Sequence, residues 1–247
     1  IDDPDFFEDF GDYVDDVATP LNDLASDALS PISQWLDDIL GDIGDAKGIS
    51  SPLVLDLDGD GVELTQMGGA GAVYWDIDLD GFGEDTGWIT GGDGLLAIDL
   101  NADGIINDHS ELFGDQTGSP NGFAALSAYD TNSDGFITSA DTQFDDLLVW
   151  VDSNADGFSQ DTELHTLDDL LITSIDLGYA NVSYVIAGNE IKQESTFTID
   201  GNTRDIVDAW FAYDNVNTSY AQDYTLDVRT LFLPTLRGFG TLPDLHI

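Results

Sequence analysis

Apolar and polar positions change their spacing twice along this chain. In the first stretch the spacing is helical. Phe6, Phe10, Val14 and Val17 share one helical face, as do Ile32, Trp35, Leu36, Ile39, Leu40 and Ile43. Asp3-Pro4, Thr19-Pro20 and Ser30-Pro31 each set a capping side chain before a proline suited to the first helical position. Residues 1–48 are therefore expected to form an acidic amphipathic helical segment. Gly41, Gly44 and Gly48 break the pattern, and Ser50-Ser51-Pro52 marks a boundary.

From 49 to 178 short apolar runs alternate with acidic loops. Leu53–Leu55 and Val73–Trp75 read as strands that feed directly into loops. Gly122–Tyr129 and Thr142–Val151 are expected as helices, Leu167–Leu171 as a short helix and Ile172–Leu177 as a strand. From 179 to 247 the pattern is mostly β. Val182–Ala187, Ser195–Ile199 and Asp205–Tyr213 are strand-like, with Asp200-Gly201 as a hairpin turn.

The loops carry the chemistry. Five times the chain places oxygen side chains at positions 1, 3 and 5 and glycine at 6. The sets are Asp56, Asp58, Asp60; Asp76, Asp78, Asp80; Asp99, Asn101, Asp103; Asp130, Asn132, Asp134; and Asp152, Asn154, Asp156. That is the first half of an EF-hand calcium loop, where glycine permits the sharp turn around a hard cation. Position 7 supplies a backbone carbonyl, here from Val62, Phe82, Ile105, Phe136 and Phe158. Position 12 supplies a distal carboxylate. Glu163 fits it fully, and Asp141 fits with a shorter reach. The loop at 99 has Ser110 there and Glu111 one place later. The loops at 56 and 76 have Met67 and Gly87, so their remaining ligands must come from elsewhere, with Glu63, Glu84 and Asp85 as candidates. Asp/Gly turns also form without metal. Calcium is favoured over magnesium, which keeps its waters and seldom uses an all-protein cage.

Charge sharpens this picture. Fifty acidic residues against five basic ones give a formal charge of -45. Nucleic acid and anionic membrane are poor partners for such a surface. Two carboxylates about 4 Å apart repel by roughly 4 kcal/mol at an effective dielectric near 20. A domain's net stability is only about 5–15 kcal/mol. Several empty loops therefore oppose compaction, and folding is expected to be coupled to calcium. A salt-adapted acidic surface is the bland competitor. No cysteine is present, which excludes disulfides, thiolate zinc sites and thiol nucleophiles. No apolar run is long enough to span a membrane. The chain begins at Ile1 and is expected to be an excerpt of something longer.

Other chemistry has little support. His109, His165 and His246 form no His-Glu-x-x-His pattern, and neither a nucleophile elbow nor a phosphate-binding glycine loop occurs. Trp75, Trp88 and Trp150 suit core packing better than a sugar or peptide groove.

Several segments carry a resemblance. Pro52-Leu-Val-Leu-Asp56-Leu-Asp-Gly-Asp-Gly61, Thr86-Gly-Trp88, Gly92-Asp-Gly-Leu95, Ser110-Glu-Leu-Phe-Gly-Asp115, Asn121-Gly-Phe-Ala-Ala125, Val149-Trp150, Glu163-Leu164 and Ser174-Ile-Asp-Leu177 keep one order. Leu236-Arg-Gly-Phe-Gly-Thr-Leu-Pro-Asp-Leu-His246 follows. Together they resemble the calcium-dependent self-processing module of iron-regulated repeats-in-toxin (RTX) proteins. The resemblance covers about 50–178 and the last residues. It implies type I secretion, calcium-triggered folding outside the cell and a role in toxins or adhesins. The nonapeptide β-roll of such proteins is absent, apart from one imperfect half-repeat at Gly91–Leu95. The family's reaction is scission of an Asp-Pro bond at the module's first residue, where the carboxylate attacks its own carbonyl. Here the matching pair is Ser51-Pro52, and serine cannot form that cyclic anhydride.

The expected architecture is thus α+β, with EF-hand-like calcium loops between short strands and helices. Its parts are a helical segment (1–48), an EF-hand-like calcium module (49–178) and a β-rich extension with the C-terminal motif (179–247). The expected function is an extracellular, calcium-folded module without catalysis, with no catalytic residue assigned. Its partners are calcium and other domains of a long secreted protein. Alternatives are a self-processing module altered at Ser51, and a calcium-dependent adhesin module holding a cell-surface peptide or glycan.

Overall fold

The computed structural model describes residues 47–69, 71–77, 82–90, 92–115, 118–220, 235–236 and 245–246. The helical segment expected in 1–48 lies outside these residues except for its last two, and so do Asp78 and Asp80. From Lys47 the chain forms one unit.

Its strands are β1 (Lys47–Ser50), β2 (Leu53–Leu55), β3 (Val73–Trp75), β4 (Phe82–Thr86), β5 (Gly94–Ile98), β6 (Phe136–Thr138), β7 (Leu147–Trp150), β8 (Leu164–Thr166), β9 (Ile172–Asp176), β10 (Ala180–Ile186), β11 (Asn189–Ile199) and β12 (Asn202–Tyr220). These twelve join one antiparallel sheet, whose main path runs β6-β9-β11-β12-β2-β5-β7-β8, while Thr235–Leu236 and Leu245–His246 pair as a separate two-stranded sheet. The 19-residue β12 is the spine. It pairs in turn with β11, with β2 at Ile206–Asp208, with β1 at Phe211–Asp214 and with β4 toward its end. Asp200 (φ 47°) and Gly201 (φ 73°) are both left-handed. That is the tight-turn geometry whose twist matches its flanking strands, and it fixes the β11–β12 register.

Central strands read as unbroken apolar runs because both faces of the sheet are covered. Leu53, Leu55, Leu96, Val149 and Ile206 enter one core with Phe113, Phe123 and Phe197. Their neighbours Val54, Leu95, Ala97, Trp150 and Val207 enter a second core on the opposite face. There Trp75, Trp88 and Trp150 meet with ring centroids 5.0–5.5 Å apart. These rings are buried in the core.

The α+β, EF-hand-like expectation is overturned. The described residues contain one short α-helix, α1 (Gly122–Leu126), capped by the Asn121 side chain and continued by a 3-10 turn at Ser127–Tyr129. Thr142–Val151 is not a helix. A 3-10 turn at Phe144–Asp146 gives way to β7, whose Leu-Leu-Val-Trp run pairs along β5. Branched and aromatic side chains between two cores favour the strand, and this tertiary setting overrides the local helical spacing. Leu167–Leu171 is likewise a turn. Each acidic loop is therefore flanked by a strand on at least one side, and the helix–loop–helix unit of an EF-hand is absent from the described residues. The strands expected at 53–55, 73–75 and 172–177 and along the β-rich end are present.

The tryptophan cluster predicts a large packing penalty. Trp150→Ala should cost about 3–5 kcal/mol, the usual range for a buried aromatic truncation. Denaturant unfolding of both proteins in calcium buffer measures it. A loss below about 1 kcal/mol would place the packing centre elsewhere.

Candidate functional site

Four of the acidic loops are built alike. In the loops at 99, 130 and 152, one oxygen of the first aspartate accepts the N–H of position 5 (Asp103, Asp134, Asp156) at 3.2–3.3 Å. The other accepts the glycine N–H at position 6 at 2.9–3.0 Å. The aspartate at position 5 then accepts the N–H of Ile105, Phe136 or Phe158 at 2.8–3.0 Å. Position 4 (Ala102, Ser133, Ala155) is left-handed each time, with φ between 54° and 59°. The loop at 56 shares the opening. Asp56 accepts from Gly59 and Gly61, and Gly59 holds the left-handed place at φ 90°.

A second carboxylate closes each loop by accepting the N–H of position 2. In the loop at 152, Glu163 takes Ser153 at 3.1 Å and Gln160, at position 9, at 3.4 Å. In the loop at 130, Asp141 takes Thr131 at 2.8 Å and Thr138, again position 9, at 2.9 Å. In the loop at 99, Glu111 takes Leu100 at 3.2 Å and Asn107, also position 9, at 3.0 Å. Its place one residue late in sequence is absorbed by a 3-10 turn at His109–Glu111.

The two loops without a distal carboxylate in sequence are closed from elsewhere. Glu84 of β4 accepts the Ile77 N–H at 3.0 Å in the loop at 76. Asp93 reaches the loop at 56, where it takes the Glu63 N–H at 2.6 Å and also bonds the Leu57 backbone. One carboxylate oxygen from each of Asp56, Asp58 and Asp93 lies within 4.8 Å of the others. Glu63 thus contributes its backbone to this closure, while Asp85 turns to Gly68 and Asn217. Sequence reasoning missed Asp93. Its signal was the Gly92-Asp-Gly fragment, which looked like a stray repeat.

Every side chain that converges here offers oxygen, with no sulfur or imidazole, and such a donor set fits a hard cation such as calcium. Burial pushes the Asp93 carboxyl up to about 7, and Asp56 and Asp58 add to that rise. Burial also raises Glu111 and Asp152. For Asp141 burial acts upward, but the N–H groups of Thr138, Thr131 and Asn132 outweigh it and its pKa falls. Trp88 Nε1–H donates to Asp152 Oδ2 at 2.7 Å, which ties the loop at 152 to the tryptophan core. Ser159 Oγ accepts from Ile106 N at 2.7 Å and donates to Ile106 O at 3.0 Å, joining that loop to the one at 99.

A second polar cluster surrounds the Ser51-Pro52 junction, at the other end of β2 from the loop at 56. Ser50, Ser51, His109 and Asp208 are fully buried there. Ser50 Oγ–H donates to Asp115 Oδ1 at 2.7 Å, and Ser51 N–H donates to the same oxygen at 3.0 Å. His109 Nε2 lies 3.2 Å from Ser50 Oγ and also bonds the Ser51 backbone. Burial holds the imidazole neutral, with its pKa down at about 4. Burial raises the Asp208 carboxyl to about 7, against the Gly122 N–H (2.7 Å) and the nearby Ser51 hydroxyl. His109 Nδ1 has no hydrogen-bond partner among the described residues, and the Ser51 hydroxyl faces the Asp208 carboxyl. His165, by contrast, lies on β8, away from this junction in the pairing order.

No helix among the described residues is long and apolar enough to cross a membrane. Two comparisons bear on this arrangement. Over 206 residues the chain is 40% identical to the iron-regulated protein FrpA of Neisseria meningitidis serogroup C. That match covers 80% of this chain and 18% of FrpA, so the chain spans under a fifth of its relative's length. The relation to iron-regulated proteins that the motif order implied is thereby established. The SPM domain profile matches residues 53–212, which run from β2 through the acidic loops and most of β12. On that match, which takes in both β2 and the strands that close around it, the chain belongs to the SPM domain family.

Proposed function

We propose that the chain is a calcium-folded module of a larger, secreted RTX-type protein, and that it does not cut itself at Ser51-Pro52. The observation that carries this reading is the shared closure of the loops. In all five, a carboxylate from outside the Asp-x-Asp run accepts the N–H of position 2. The proposed ligands are the acidic and amide side chains of the loops, with Glu163, Asp141, Glu111, Glu84 and Asp93 as the closing carboxylates. Calcium supplies positive charge to clusters that otherwise repel. The residues themselves orient the oxygens, since the backbones of the loops at 56, 99, 130 and 152 are already turned by their own hydrogen bonds. A secreted chain would meet this calcium outside the cell, where it is plentiful. The protein's partners are then calcium and the rest of its own chain.

Chelated protein should be expanded, and millimolar calcium should compact it cooperatively with a change in tryptophan emission, since Trp88 touches Asp152. In chelator, any residual structure should weaken as pH rises from about 4 through 7. The Asp93 and Asp208 carboxyls sit at about 7 in the folded state, above the unfolded value near 4, so the folded form binds protons more readily. Emission and circular dichroism that ignore chelator would sink the calcium reading.

Single ligands should rank. Glu163→Gln should lower affinity on the order of tenfold by removing one ligand charge, and Asp93→Asn should do so at the loop at 56. Asp141→Asn should cost less, because its shorter side chain reaches less far. Calorimetric titration checks this, and unchanged affinity and stoichiometry in Glu163→Gln would remove the loop at 152 from the set.

The unmodified chain should keep its full mass through prolonged incubation with calcium, because Ser51 has no carboxylate to close on its own carbonyl. Mass spectrometry decides it, and a fragment beginning at Pro52 would refute the non-cutting reading.

A further inference from the structure

The junction keeps more than its altered residue requires. Ser50 spends its only proton on Asp115, so its oxygen receives a hydrogen bond from His109 Nε2. That assigns the ring proton to Nε2. The same nitrogen bonds the Ser51 backbone, and the Ser51 N–H is already taken by Asp115, so the acceptor is the Ser51 carbonyl. Gly114 confirms the proximity. A β-carbon there would collide with the Ser51 carbonyl oxygen and lie 2.9 Å from His109 Nε2. The peptide is pinned on both sides, since Leu53 N–H donates to Phe113 O and Ala209 N–H to Pro52 O, each at 3.0 Å. Around the Ser51 side chain, its own hydroxyl faces the buried Asp208 carboxyl.

We propose that His109 is the carbonyl-polarising residue of this junction. Its Nε2–H holds the oxygen of the 51–52 peptide bond, so that a carboxylate at position 51 meets a prepared electrophile. The proposal rests on the family reading of the junction given above. With aspartate at 51, a side-chain oxygen bonds to the residue's own carbonyl carbon and charge moves onto the oxygen held by His109. The C–N bond to Pro52 then breaks. Its electron pair stays on the proline nitrogen, which takes a proton from water. The five-membered cyclic anhydride left at 51 is opened by a second water. The net change is hydrolysis of one peptide bond. Ser51 removes the nucleophile and leaves the electrophile's setting in place.

The test compares three variants of the full chain in millimolar calcium, with tryptophan emission and mass followed together. Ser51→Asp should yield a fragment starting at Pro52. Adding His109→Leu should slow that cut about a hundredfold, the order expected for loss of one oxyanion donor. Adding His109→Gln, which restores an N–H, should recover part of the rate, a rescue that a merely space-filling role does not explain. Equal rates in Ser51→Asp with and without His109→Leu would overturn the proposal, as would a folded Ser51→Asp that stays whole. Should the His109 variants lose their fold, the unmodified protein still decides. Imidazole nitrogen shifts should show the Nε2–H form of His109, and an Nδ1–H form would overturn the assignment. A flat calcium response in tryptophan emission would instead count against the metal reading, and the rates would still speak to His109.

Discussion

A carboxylate that accepts the second backbone N–H of an acidic loop is the contact on which this molecule is organised. Each such bond fastens a loop to something beyond its own turn. For Glu111, Asp141 and Glu163 that is the returning end of the same loop. For Glu84 it is the neighbouring strand β4, and for Asp93 the approach to β5. The bonds are charge-assisted and individually strong, but each brings one more negative group into a cluster that already repels. The contact that orders a loop therefore also raises its need for a cation. On the proposed reading, folding and metal binding would be one problem, because the same oxygens would solve both.

The two-faced sheet converts those local closures into a global state. β2, β5 and β7 are central strands covered on both faces, and acidic loops follow β2, β5 and β7 directly. A loop that fails to close withdraws support from a strand that feeds both cores. The link is tightest at Asp152, which accepts from Trp88 while Trp88 packs on Trp75 and Trp150. Ser159 adds a lateral tie to the loop at 99.

What the sequence disclosed follows from range. The acidic loops, the Asp200-Gly201 turn and the short apolar strands are local patterns, and the chain adopts them in the described residues. The helix expected over Thr142–Val151 failed because its spacing fits a helix only in isolation. Pairing with β5 and burial between two cores decided its conformation. Asp93 was hidden for a related reason. It closes a loop that begins 37 residues earlier, and no spacing rule in a single loop points to it. His109 and Asp208 were hidden likewise, since they meet Ser51 only because β12 and the 3-10 turn at His109–Glu111 converge on it.

The short strand β2 connects the two sites. Ser51-Pro52 lies before it and Asp56 lies just after it, so three residues separate the junction from a loop whose order depends on Asp93. β2 is held by β12 on one edge and β5 on the other. The Ser51 carbonyl can meet His109 only when that strand is seated, and the strand is seated only when the loop after it is closed. A cation held by Asp56, Asp58 and Asp93 would therefore act on the junction through backbone position, without touching the bond. This arrangement also explains how the junction's surroundings can persist with serine at 51. Ser50 and Asp208 are buried and Asp115 half-buried where β1, β2 and β12 meet, so the packing that seats the strand preserves them whether or not position 51 carries a nucleophile.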